Sequence, residues 1–206
     1  MAPRAALQPD EIELYRERLT EVASRLFAER GYEGVTLRAI ARELGCSPMT
    51  PYRYFRDKRE IFAAVRGAAH ARFAEAQERA LASATDPLER LGALGSTYVR
   101  FALEDPRTYR LMFELDQPDP DGFPSLRDAE ARSWAPLLGA VTEVVQSGLL
   151  DGEPETVAHV FWAGVHGIVS LHLAGKLAMG QTIDDLLQPM LETLLRGNLA
   201  AEGDQA

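Results

Sequence analysis

The chain has 206 residues, 46% of them hydrophobic, a formal net charge of −9 and one cysteine. Such a length and apolar share exclude wholesale disorder and fit one or two small packed domains. The single cysteine excludes an intramolecular disulfide, which fits a reducing cytoplasm.

Helical periodicity recurs along the chain and strand alternation does not. Met1–Gln8 carries no charged-then-apolar signal pattern and reads as a loose tail. Pro9-Asp10-Glu11 opens a first helix with Leu14, Leu19, Val22, Leu26 and Phe27 on its apolar face, and Arg30-Gly31 closes it. Thr36 caps a second helix, whose stripe is Leu37, Ile40, Ala41 and Leu44, and Gly45 leaves it where positive φ is needed. Cys46 plugs the turn, and Ser47 caps a third helix with Pro48 at its first position. Asp57–Glu60 reads as a capping box for a long fourth helix to about Ala84. Asp86-Pro87 opens a fifth, and Asp105-Pro106 closes that and opens a sixth. Asp116–Pro124, with three prolines, three aspartates and a glycine, is a loop. A seventh helix follows from Ser125 to about Ser147 with a kink at Pro136, then an eighth over Glu155–Met179 and a ninth over Thr182–Leu195 that contains Pro189. The expected fold is all-α with nine helices.

The second and third helices have the layout of a DNA-reading helix-turn-helix. Val35–Arg66 holds seven basic residues against three acidic ones, whereas residues 67–206 hold 10 basic and 21 acidic. Positive charge is thus concentrated on the motif, and the acidic remainder would favour one docking orientation. The stretch from about Arg25 to Arg66 resembles the DNA-binding domain of TetR-type transcriptional regulators. The resemblance is carried by Phe27, Gly31, Thr36, Ile40, Ala41, Gly45, Ser47, Phe62 and above all the Tyr52-x-Tyr54-Phe55-x-x-Lys58 run. Pro51 stands where that family usually has an apolar side chain, so the recognition helix is expected to be short and tightly wound at its start. Arg38, Thr50 and Arg53 are candidates for base edges, with Ser47, Pro48 and Met49 against the groove floor, and each arginine can equally meet phosphate. The resemblance implies that Thr36, Tyr52, Tyr54 and Lys58 hold the DNA backbone, although Tyr52 could equally wedge beneath its own helix.

Trp162-x-x-x-His166-Gly167 resembles the Trp-His-Gly type of TetR carboxy-terminal domain. Together these resemblances imply a tail over 1–9, a DNA-binding domain over 10–66 and a helical sensing and dimerisation domain over 67–206. They further imply a homodimer on a palindromic operator, repression as the default, and release by a small-molecule effector. Ile168, Leu171, Leu187, Leu191 and Leu194 are the candidate dimer contacts. Phe101, Tyr109, Met112, Phe113, Trp134, Trp162 and His166 are the candidate cavity lining, with the 116–124 loop as its gate and Gly164 beside the space.

Val157–Gly175 has no Asp, Glu, Lys or Arg across 19 residues, which reaches a membrane-spanning length. Its three histidines and moderate apolarity fit a buried dimer-core helix better, so no membrane is expected. His159 and His166 share a face but no Asp, Glu or Cys lies at ligand spacing in that run, so neither metal nor cofactor is expected. No nucleophile elbow, phosphate-binding glycine loop or zinc motif occurs, and nothing points to an enzyme. An activator, an effector-independent regulator, or a helical ligand-binding protein without DNA function are the rival readings.

Overall fold

The computed structural model describes residues 9–113, 122–177 and 180–199, and of residues 9 and 10 the backbone alone. The expected tail and most of the 116–124 loop lie outside them. Among the described residues there are eight α-helices, one 3₁₀ turn and no strand. These are α1 (Pro9–Arg30), α2 (Leu37–Glu43), the 3₁₀ turn (Pro51–Arg53), α3 (Lys58–Ala82), α4 (Pro87–Glu104), α5 (Pro106–Phe113), α6 (Pro124–Gln146), α7 (Pro154–Leu173) and α8 (Ile183–Gly197). The fold is all-α as expected, with the recognition element a 3₁₀ turn and not an α-helix.

Local chemistry sets most boundaries. Helices α1, α4, α5, α6 and α7 open on proline, whose missing N–H is no loss in a first turn. Asp86 accepts from the Leu88 and Glu89 amides, and Thr182 and Asp185 form a reciprocal capping box on α8. At α3, Asp57 accepts from the Glu60 amide at 2.9 Å, but the Glu60 carboxylate reaches past Asp57 to the Arg56 amide at 2.7 Å. Helix α7 ends at Leu173, short of the expected Met179. Gly175, at φ +65°, lets the Lys176 amide turn back to the Leu171 carbonyl at 2.8 Å and stops the helix. Pro136 and Pro189 lie inside α6 and α8 without ending either.

Contacts group the chain into two units. The first comprises the residues up to His70 with Arg107–Glu130, the second Ala71–Pro106 with the residues from Ala131 on. In the first unit Leu19, Ala23, Leu26 and Phe27 of α1 pack with Ile40, Ile61, Phe62 and Val65, while Leu14 of the predicted stripe is 60% exposed. Phe27 and Phe62 meet edge to face with centroids 4.9 Å apart, and fully burying such a side chain contributes about 1.5–3 kcal/mol. In the second unit α4 and α8 pack on α7, and Val141, Val144, Leu150, Val157 and Phe161 form the core. Gly164 marks a close crossing there. A Cβ on it would stand 2.8 Å from Leu194 Cδ1 and 2.9 Å from Met190 Sδ, so it lies against α8.

A buried charged cluster ties α3 to the start of α6 within the first unit. Arg66 donates to Glu130 at 2.8 Å, and His70 Nε2 lies 4.0 Å from the same carboxylate. Burial, then the Arg66 charge, pushes the His70 imidazole down to about 4. Its folded value lies below the unfolded one of about 6.5, so the neutral ring contributes stability above pH 6.5 that is lost as pH falls towards 4. Thermal melts from pH 7 to pH 4.5 should therefore show a loss on the order of 1–3 kcal/mol that His70→Gln removes. An unchanged pH profile in His70→Gln would refute this assignment.

Candidate nucleic-acid interface

The helix-turn-helix begins with Thr36, whose hydroxyl oxygen accepts from the Ala39 amide at 3.2 Å and caps α2. Arg38, the second residue of α2, is exposed and outside the described ion pairs. The chain leaves α2 through Gly45 at φ +66°, with the Cys46 amide returning to the Ala41 carbonyl at 3.0 Å. A β-carbon here would meet the left-handed penalty, so the motif needs glycine.

The reading element then winds by three-residue steps. The Thr50 amide donates to Ser47, Arg53 to Thr50 and Tyr54 to Pro51, at 2.8, 3.0 and 3.0 Å. Pro51 has no amide to give the Ser47 carbonyl, and its ring would crowd that carbonyl in an α-helix. Ser47 caps weakly, at 3.4 Å to the Met49 amide. The result is a compact turn whose side chains splay outwards. Met49 is 68% and Tyr52 51% exposed, and Ser47, Pro48 and Arg53 are exposed beside them, with Thr50 half-buried. Tyr52 is thus not wedged beneath its own turn.

Tyr54 and Lys58 face inwards. Tyr54 stacks on Tyr15 of α1, with centroids 4.3 Å apart. Lys58 Nζ donates to the Tyr32 carbonyl at 3.0 Å, sits 4.0 Å from that ring's centroid, and lies 3.6 Å from the Glu33 carboxylate. A phosphate at Lys58 would therefore compete with Glu33. Sequence reasoning missed Tyr15 and Arg16, because their partners lie 38 or more residues away. It also missed Arg42, an exposed cation one turn beyond Arg38.

The candidate ligand residues divide between the two units. Tyr109, Met112 and Phe113 belong to the first unit, with Tyr109 and Met112 buried. In the second unit Trp134 and Trp162 meet edge to face at 6.3 Å, and His166 Nδ1 pairs with the Tyr98 hydroxyl at 3.0 Å. Burial holds the His166 imidazole below its ordinary value. Phe101 lines a polar groove between α3 and α4 with Arg72 and Arg100. A cavity of about 30 Å³ lies among Leu94, Tyr98, Trp162 and Leu191, room for about one water. Among the described residues no His, Cys, Asp or Glu cluster is arranged to hold a metal ion.

Residues 19–65 match the family described as "Bacterial regulatory proteins, tetR family", and residues 91–194 match "Tetracyclin repressor-like, C-terminal domain". The chain belongs to the TetR family of transcriptional regulators. The second match includes the Trp162-His166-Gly167 pattern of this regulator. Among curated relatives it is 33% identical over 101 residues to the HTH-type transcriptional activator FasR of Mycolicibacterium smegmatis, covering 49% of this chain and 46% of that one. The match therefore spans under half of that relative's length. A structure of a protein of unknown function from Rhodococcus sp. RHA1 is 27% identical, with TM-score 0.78 and coverage of 97% and 100%. A TetR family transcription regulator from Marinobacter aquaeolei VT8, 22% identical, shares the fold at TM-score 0.72 over 94% of this chain and 100% of that one.

The packing separates two kinds of cation. Arg53→Ala should lower affinity for a preferred duplex by roughly tenfold or more without changing the melting temperature. Lys58→Ala should lower the melting temperature, because it strips a cation from the Tyr32 ring. Paired melting curves and titrations check both, and the reverse pattern would put Lys58 on the DNA.

Proposed function

We propose that the regulator is a cytoplasmic homodimeric repressor that reads a palindromic operator and is released by a small-molecule effector. The domain roles proposed are DNA binding over 10–66 and sensing with dimerisation over 67–206. The observation that supports the dimer is an apolar face of α7 that stays exposed among the described residues. Val157, Phe161, Val165 and Val169 face the protomer's own core. Val160 and Leu171 remain 39% and 47% exposed, and a Cβ on Gly167, between them on the same face, would meet nothing within 4 Å. Helix α7 is long and apolar enough to cross a membrane, but it lies within the TetR carboxy-terminal match. A second copy is the occupant we favour for this face. Helix α8 adds Leu187, whereas Leu191 and Leu194 pack partly on the protomer core.

Two copies would set two reading turns one helical turn of DNA apart, about 34 Å, as a palindrome requires. An effector would bind a conformer that reads the operator less well, and the small cavity beside Tyr98 and Trp162 is one place where it could open the packing. FasR, named as an activator, supports activation as the alternative. A reporter behind a duplex selected from random sequence separates the two. Leu171→Glu provides the assembly test, since the charge costs little on an exposed protomer surface but much in an interface. The wild type should sediment as a dimer and Leu171→Glu as a monomer, with operator affinity falling at least roughly tenfold. A Leu171→Glu protein that stays dimeric would place the interface elsewhere.

A further inference from the structure

The reading turn ends at Tyr54, and the carbonyl of this capping residue lies beyond the turn's own hydrogen bonds. Arg16, 38 residues earlier on α1, donates to that carbonyl from Nη1. Its guanidinium carbon lies 4.1 Å from the centroid of the Phe55 ring, the next residue along. Tyr15 stacks on the Tyr54 ring at a 20° interplanar angle. Burial, reinforced by the neighbouring Cys46, pushes the Tyr15 phenol up to about 12, so this stacking surface stays neutral. Two consecutive α1 residues thus hold two consecutive residues at the exit of the turn, one through the ring of Tyr54 and the other through its carbonyl and the Phe55 face.

Arg16 is half-buried and joins none of the described ion pairs with a carboxylate. An Nη1 donor and the planar face are both engaged on the turn. A guanidinium can do both at once, because hydrogen bonds run in its plane and the cation–π contact runs through its face. A capping carbonyl without such a donor would be left to solvent, and a turn of three residues has no second helical turn to fix its direction.

We propose that Arg16 is a positioning residue for DNA reading, which sets the angle of the turn without touching DNA itself. The proposal rests on the turn being the reading element. It separates Arg16 from Arg38 and Arg53, whose side chains are exposed. Loss of the clasp should let the turn rock, spoiling alignment with base edges while leaving the phosphate-facing charge unchanged.

The test uses full-length wild type, Arg16→Gln and Arg16→Lys, with a duplex that the wild type selects from a random library and a scrambled duplex of the same composition. Affinities are measured for both duplexes across a salt series, beside melting curves. Arg16→Gln should lose on the order of tenfold to hundredfold on the selected duplex and almost nothing on the scrambled one. The salt slope on the selected duplex should stay unchanged, since no phosphate contact is lost. Arg16→Lys, which keeps charge and a donor but not the planar face, should fall between the two. If Arg16→Gln does not fold, the same comparison runs on Arg16→Lys. A slope reduced by about one would make Arg16 a phosphate contact and overturn the proposal. Equal losses on both duplexes, or none on either, would overturn it as well. Failure of the wild type to select any duplex would instead remove the DNA-reading assignment beneath it.

Discussion

Pro51 lacks the amide that would close an α-helical bond to Ser47, and the geometry of the proposed DNA face follows from that missing donor. The element becomes a turn of three-residue steps closed by one four-residue bond, Phe55 to Pro51, too short to hold its direction by backbone bonds alone. Support comes from around it. Thr36 and Gly45 fix both ends of α2, the Phe27–Phe62 pair anchors α1 on α3, and Tyr15 with Arg16 hold the exit of the turn. Lys58 serves the same end from below, because its ammonium locks the Tyr32 carbonyl and ring at the α1–α2 connection. An acidic chain can present a positive face in this way. The inward cations carry packing, and the exposed Arg38 and Arg53 are left with unspent charge.

The second unit has the opposite problem, an excess of apolar surface. Its core uses one stripe of α7, and α8 buries only Ile183 outright despite five leucines. Gly164 lets α8 approach α7 closely, so this pair forms a dense slab with apolar side chains left over on the outside. Tight packing also explains why the interior cavity is small. Under the proposed sensing role, a ligand larger than this cavity would bind a different arrangement of these helices.

What could be read from the sequence was local. The cap at Thr36, the opening of α4 at Asp86, the αL exit at Gly45 and the tightening at Pro51 depend on residues within four positions of one another, and all are present. What could not be read depends on long-range neighbours. Nothing near Lys58 in the chain announces Tyr32 and Glu33, and nothing near Arg16 announces Tyr54. Tyr109, Met112 and Phe113 lie in a different unit from Trp134, Trp162 and His166. Gly175 was a local signal that was overlooked: a glycine after an apolar helix ends it, whatever periodicity lies beyond.

The most direct test of the account is amide hydrogen exchange of the full-length protein with and without its selected duplex. Protection should be concentrated between Thr36 and Phe55, where α2 and the turn would be covered, and α7 should change little. Protection that is strongest outside this span, with the amides of Arg53 and Tyr54 unaffected, would contradict the assignment of this turn as the reading element.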